Sequence, residues 1–118
     1  VEGIQQVIRR HIELAQWVKR SVEDAPDFAL LAPTTFNTVC FRFLPDEAAS
    51  TAEVNSLNER LLEEINAGGQ AYFTHTKLDG KYTIRFVVGQ TYTEQAYVEE
   101  GWNLLVETAR RLWRSREA

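Results

Sequence analysis

Apolar residues recur at three- and four-residue steps at the start of the chain: Ile4, Val7, Ile8, Leu14, Ala15, Val18 and Val22, with His11 in the same stripe. Arg9, Arg10, Glu13, Lys19 and Arg20 fall mostly on the other side. That period predicts an amphipathic helix, which Pro26 and the acidic stretch around Asp24 and Asp27 bring to an end. Two short runs follow, Phe28 to Leu31 and Thr38 to Leu44. The second alternates as a strand does, with Val39, Phe41 and Phe43 on one face and Thr38, Cys40 and Arg42 on the other.

Ser50 and Glu53 stand at capping-box spacing ahead of Val54, Leu57, Leu61, Leu62 and Ile65, and Gly68-Gly69 offers a stop. A second helix is therefore predicted. Two strand-like runs come next, Gln70 to Leu78 and Lys81 to Val88, joined by Asp79-Gly80. This dipeptide suits a two-residue hairpin loop, because both loop positions need positive φ. Thr91 and Glu94 form a further capping-box pair ahead of Val98, Trp102, Leu105, Ala109 and Leu112, the apolar side of a last helix whose end carries Arg110, Arg111, Arg114 and Arg116.

The order αββαββα predicts an α+β fold: a four-stranded antiparallel sheet with three helices on one face. The opposite face is left for solvent or a partner. With Asp79-Gly80 as the loop, Leu78 opposes Lys81, Thr76 opposes Thr83, Thr74 opposes Arg85 and Phe73 opposes Phe86. Phe73, His75, Ile84 and Phe86 then point toward the helices, and Thr74, Thr76, Thr83, Arg85 and Val87 point away from them.

With 118 residues, 44% apolar and 25% charged, the chain fits one domain, residues 1–118. The formal charge of −4 and the pI near 5.2 argue against a general nucleic-acid binder. No run approaches the roughly 18 apolar residues of a membrane span, so a soluble protein is expected. The lone cysteine, Cys40, excludes an intrachain disulfide and fits a reducing cytoplasm. Its apolar surroundings in sequence predict a buried, structural thiol. Val1 falls inside a helical pattern and the chain has no Met, which leads us to expect further sequence upstream.

Candidate chemistry is sparse. Arg85, between Ile84 and Phe86, is either a solvated surface charge or a planar fork for a carboxylate or phosphate; Arg42 carries the same ambiguity. His11 and His75 lack a second ligand at metal-binding spacing on their own elements. Glu63-Glu64 and Glu99-Glu100 are neighbours about 100° apart on helices, which suits solvated faces rather than a catalytic pair. Gly68-Gly69 lacks phosphate-loop spacing, and of Trp17, Trp102 and Trp113 two read as core or interface anchors.

Four segments, in order, resemble one family: GIQQVIRRHIELA, NTVCFRF, LNERLLEEINAGGQAYFTHT and DGKYTIRFVVGQTYTE. From Gly3 to about Trp113 the chain is similar to the C-terminal domain of the group II pyridoxal-phosphate-dependent amino-acid decarboxylases, and the THT and IRFVVG segments look closest to the aromatic-amino-acid branch. The resemblance implies the small domain of a fold-type-I enzyme, which helps to form the substrate side of an amino-acid decarboxylase active site beside a large domain of the same polypeptide that holds pyridoxal 5′-phosphate on a lysine. It also implies a homodimer. Arg85 matches the family arginine that helps engage the substrate carboxylate or organise a nearby loop. Lys19, Lys77 and Lys81 match no family lysine motif, so the fragment alone is expected to be inactive. A self-standing interaction module and a catalytically silent relative are the competing expectations.

Overall fold

A computed structural model describes residues 2–34, 37–47, 49–69, 73–88 and 95–116. Seven elements follow one another: α1 (Glu2–Asp24), β1 (Phe28–Leu30), β2 (Thr38–Phe43), α2 (Thr51–Gly68), β3 (Thr74–Leu78), β4 (Lys81–Val87) and α3 (Gln95–Arg116). The strands form one antiparallel sheet in the order β1-β2-β4-β3. The αββαββα order and the α+β class are as the sequence predicts.

Local signals explain the element ends. The Ser50 hydroxyl accepts the Glu53 N–H at 3.1 Å, which satisfies one of the free donors at the start of α2. Gly69 closes the helix in the left-handed region at φ 77°. Asp79 and Gly80 have φ 52° and 76°, the pair of positive values that a two-residue hairpin loop requires. The β3–β4 register is Thr74 with Arg85, Thr76 with Thr83 and Leu78 with Lys81, as the loop dictates.

The helices cover one face of the sheet. Val39, Phe41 and Phe43 of β2, Tyr82, Ile84 and Phe86 of β4, and Leu14, Val18, Leu61 and Leu105 of the helices are buried there. Trp102 of α3 lies 5.0 Å from Phe28 and 5.7 Å from Phe41, ring centre to ring centre. Each such aliphatic or phenyl side chain taken fully from water contributes roughly 1.5–3 kcal/mol, so this layer holds the fold. Trp17 and Trp113 pack at its margin, half-buried.

Three expectations need correction. The described part of the third strand is Thr74–Leu78; Gln70, Ala71 and Tyr72 lie outside the described residues, as do Thr91 and Glu94 of the last capping box. Phe73 is buried but stands outside the ladder, because Asn66 takes its N–H at 2.9 Å and its C=O at 3.0 Å. His75 has the predicted inward parity yet is exposed, since β3 is the edge strand; its ring stacks on Tyr82 at 4.5 Å. Cys40 is half-buried rather than buried, because its side chain lies on the face without helices. Among the described residues no helix is long and apolar enough to cross a membrane.

Candidate functional site

The sheet face away from the helices carries Ala29 of β1, Thr38, Cys40 and Arg42 of β2, Lys81, Thr83, Arg85 and Val87 of β4, and Thr74, Thr76 and Leu78 of β3. Strand alternation puts them there: along β2 and β4 their neighbours Val39, Phe41, Phe43, Tyr82, Ile84 and Phe86 enter the core. Cys40, Arg85 and Thr74 form one cross-strand row, with Arg85 in the middle strand of the three. Its guanidinium is exposed. No hydrogen bond or ion pair holds it among the described residues, so it is free to take an anion.

Arg42 pairs with Ala29 and stands two residues from Cys40 on the same strand. It is the diagonal neighbour of Arg85, a relation that places such Cβ atoms roughly 7–8 Å apart. Its environment differs from that of Arg85. Arg42 is half-buried, and its Nε and Nη1 atoms are sealed from solvent without a hydrogen-bond partner. Thr83 on the same face is fully buried, its hydroxyl donating to the Lys81 C=O at 2.9 Å. The face is thus only partly open, which strand parity does not reveal.

The backbone beneath this face is held from the helix side. Asn58 of α2, with no exposed surface, accepts the Phe43 N–H at 2.8 Å and donates to the Phe43 C=O at 2.9 Å and the Val54 C=O at 2.8 Å. Asn55 accepts the Tyr82 N–H at 2.8 Å and donates to the Gly80 C=O at 2.9 Å. Sequence reasoning passed over these asparagines, because a polar residue beside an apolar stripe reads as solvated. Their only sequence signal is spacing: Asn55, Asn58 and Asn66 fall on one side of a helix.

A second concavity, about 410 Å³, lies at the β3 edge between Glu59, Leu62, Glu63, Asn66, Phe73 and Tyr82. Burial pushes the Tyr82 phenol above its ordinary pKa, and the charges of Glu59 and Glu63 push it the same way. That negative field opposes a carboxylate ligand. Among the described residues no group of three or more His, Cys, Asp or Glu side chains could hold a metal ion.

Lys77 is exposed, and Lys19 and Lys81 are half-buried on α1 and beside the hairpin loop. None sits in an enclosed site where a desolvated amine could be activated.

Comparison with known proteins shows what the chain is similar to. No protein-family model matches the chain. A tryptophan decarboxylase of Camptotheca acuminata is 39% identical over 109 residues, covering 92% of this chain and 22% of the relative. A phenylacetaldehyde synthase of a Rosa hybrid cultivar is 37% identical over 115 residues, covering 92% and 23%. The crystal structure of Catharanthus roseus tryptophan decarboxylase in complex with L-tryptophan superposes with a TM-score of 0.84 at 32% identity, covering 92% of this chain and 22% of that one. The chain matches the C-terminal portion of the group II pyridoxal-phosphate-dependent decarboxylases. It spans about a fifth of the length of the decarboxylases it matches. Oryza sativa TDC, solved with PLP and tryptamine, aligns with a TM-score of 0.87 at 30% identity over 92% of this chain and 23% of that one. The fold of these decarboxylases is thus shared over 92% of this chain.

Proposed function

We propose that residues 1–118 are the small C-terminal domain of a pyridoxal-phosphate-dependent decarboxylase acting on an aromatic L-amino acid, and that Arg85 serves its substrate side. The observation that carries this is the exposed Arg85 guanidinium, held in mid-sheet on the face without helices and free of any partner among the described residues. A planar fork in that state suits a carboxylate, either the substrate's own or that of a nearby loop. The cofactor and its lysine belong to the large domain, since the lysines of this chain offer no enclosed seat. The chain's part is to orient and to wall off, not to perform the bond-breaking step. We extend the proposal to a cytoplasmic homodimer, in keeping with the lone cysteine and the family resemblance.

The test is Arg85→Ala in the full-length protein. Loss of an orienting contact is expected to lower kcat/KM by roughly 10- to 100-fold, with cofactor binding, read from its absorbance, unchanged. An unaltered kcat/KM would sink the assignment. A titration in which the wild-type protein takes up no pyridoxal phosphate would favour a silent relative or a self-standing module instead.

One observation supports a second reading of the parent protein. Relatives named as decarboxylases and as phenylacetaldehyde synthases match this segment at nearly equal identity, 39% and 37%. The choice between amine and aldehyde as product therefore lies with the rest of the polypeptide. Analysis of the product formed from an aromatic amino acid separates the two.

A further inference from the structure

We propose that the concavity at the β3 edge is a binding site for a small organic ammonium ion with an aromatic body, gripped by Glu59 and Glu63 of α2 and by the hydroxyl of Tyr82. The site does not depend on reading the chain as a decarboxylase domain. Its volume of about 410 Å³ falls in the range of small-molecule pockets, roughly 300–1,000 Å³. Leu62 and Phe73, both buried, supply apolar wall. Asn66 bonds the N–H and the C=O of Phe73 at 2.9 and 3.0 Å, which fixes that wall in place.

Two observations select a cation. The first is the pair of carboxylates. Glu59 and Glu63 stand four residues apart on α2, so they project from one side of the helix, where like charges disfavour each other. Their neighbour Glu64 is paired with Arg111 at 2.7 Å, whereas no ion pair holds Glu59 or Glu63 among the described residues. Lys77, opposite Tyr82 on β3, is exposed and bridges to neither. A cation bound between the two carboxylates relieves their repulsion.

The second is Tyr82. The residue is only 7% exposed; Asn55 takes its backbone N–H, but its hydroxyl makes no hydrogen bond among the described residues. A buried tyrosine hydroxyl ordinarily has a partner, and this one borders the cavity. Burial, then the charges of Glu59 and Glu63, raise the pKa of the phenol, so the hydroxyl stays neutral and its oxygen can accept an ammonium N–H. The same negative field repels an anion. The His75 ring lies nearly parallel to the phenol at 4.5 Å, and aromatic surface at the mouth of the site favours a cation with a ring of its own. Together the acidic tip and the aromatic and aliphatic walls match a protonated arylalkylamine.

The test is calorimetric titration of the full-length protein at neutral pH with N,N-dimethylphenethylamine, a cationic tertiary amine that cannot condense with a carbonyl group. Saturable binding is expected, weaker by roughly tenfold or more in Glu59→Gln and in Glu63→Gln, since each removes a charged acceptor. Tyr82→Phe, which keeps the ring, should weaken it by a smaller factor. Glu107→Gln, a matched loss of charge at an exposed position of α3, should leave it unchanged. The neutral counterpart, 2-phenylethanol, should bind far more weakly. A structure of the wild-type complex, which depends on no variant folding, should place the ammonium nitrogen about 3 Å from a carboxylate oxygen of Glu59 or Glu63. Equal affinity in the wild type and both glutamine variants, equal binding of the alcohol, or a structure with the cavity filled by another part of the polypeptide overturns the proposal. If the amine binds the wild type and both glutamine variants alike while Arg85→Ala lowers kcat/KM, the decarboxylase reading stands and only this site falls.

Discussion

Asn58 has the most to lose per atom. Its amide makes three hydrogen bonds, two of them to the N–H and C=O of Phe43, and all are buried. Truncation leaves the Phe43 groups without water or partner, and stranded buried groups cost about 1–3 kcal/mol each. Asn58→Ala should therefore lose about 3 kcal/mol in urea unfolding, well beyond an exposed polar-to-alanine change such as Asn103→Ala. Tyr82 makes a prediction of the opposite kind, silent at neutral pH. Burial, then Glu59 and Glu63, raise its pKa in the folded state. The folded protein keeps the phenol proton where the unfolded chain, with a pKa of about 10, has begun to release it. The stabilising contribution is thus complete below that value and is lost as pH rises through the folded-state value. Unfolding measured across the alkaline range should show a shallower decline for Tyr82→Phe than for the wild type.

At the scale of elements, α2 is joined to the sheet in two ways that differ in visibility. The stripe of Val54, Leu57, Leu61, Leu62 and Ile65 buries as helical period predicts. The asparagines of the same helix bond the ends of β2 and β4 and the backbone of Phe73, and nothing in a polar residue type announces that role. α3 meets the sheet through a gap. A Cβ on Gly101 would lie 3.3 Å from Cζ of Phe73 and 3.5 Å from Cζ of Phe86, two packed rings 4.9 Å apart. A glycine in mid-helix costs up to about 1 kcal/mol relative to alanine. Here it permits the approach of helix to rings. Gly101→Val should lose about 2–3 kcal/mol, because two further methyl groups force the rings off their rotamers. The check is the urea midpoint with the slope unchanged. The hairpin register from Thr74 to Arg85, by contrast, was readable, since a two-residue loop leaves one register and Asp79-Gly80 supplies both positive φ values.

On the scale of the molecule, the sheet divides the chain into an apolar interior shared with three helices and an opposite, partly open face that carries Arg42, Lys81 and Arg85. Arg42, Lys81 and Arg85 lie on that face while Lys77 has the helix-side parity, so the acidic chain carries most of its basic strand residues on one side of the sheet. On the proposed reading, Arg85→Ala should lower kcat/KM, because an exposed fork meets what is bound and released. The chain spans about a fifth of the length of the decarboxylase relatives it matches.

Sequence by itself determined the elements, the α+β class, the β3–β4 register and the side of the sheet on which Arg85 and Arg42 project. These are local properties: periodicity, caps and a two-residue loop are set by neighbours along the chain. Tertiary structure alone decided that β4 lies between β2 and β3, so that Cys40 stands across from Arg85. It also decided that His75 on the edge strand is exposed and that Asn58 is fully buried. The unlike states of Arg85 and Arg42 were settled the same way, one free and one sealed. Strand parity assigns a face, but solvent access depends on which distant segments cover that face, and that is a property of the assembled layers rather than of any residue's neighbours in sequence.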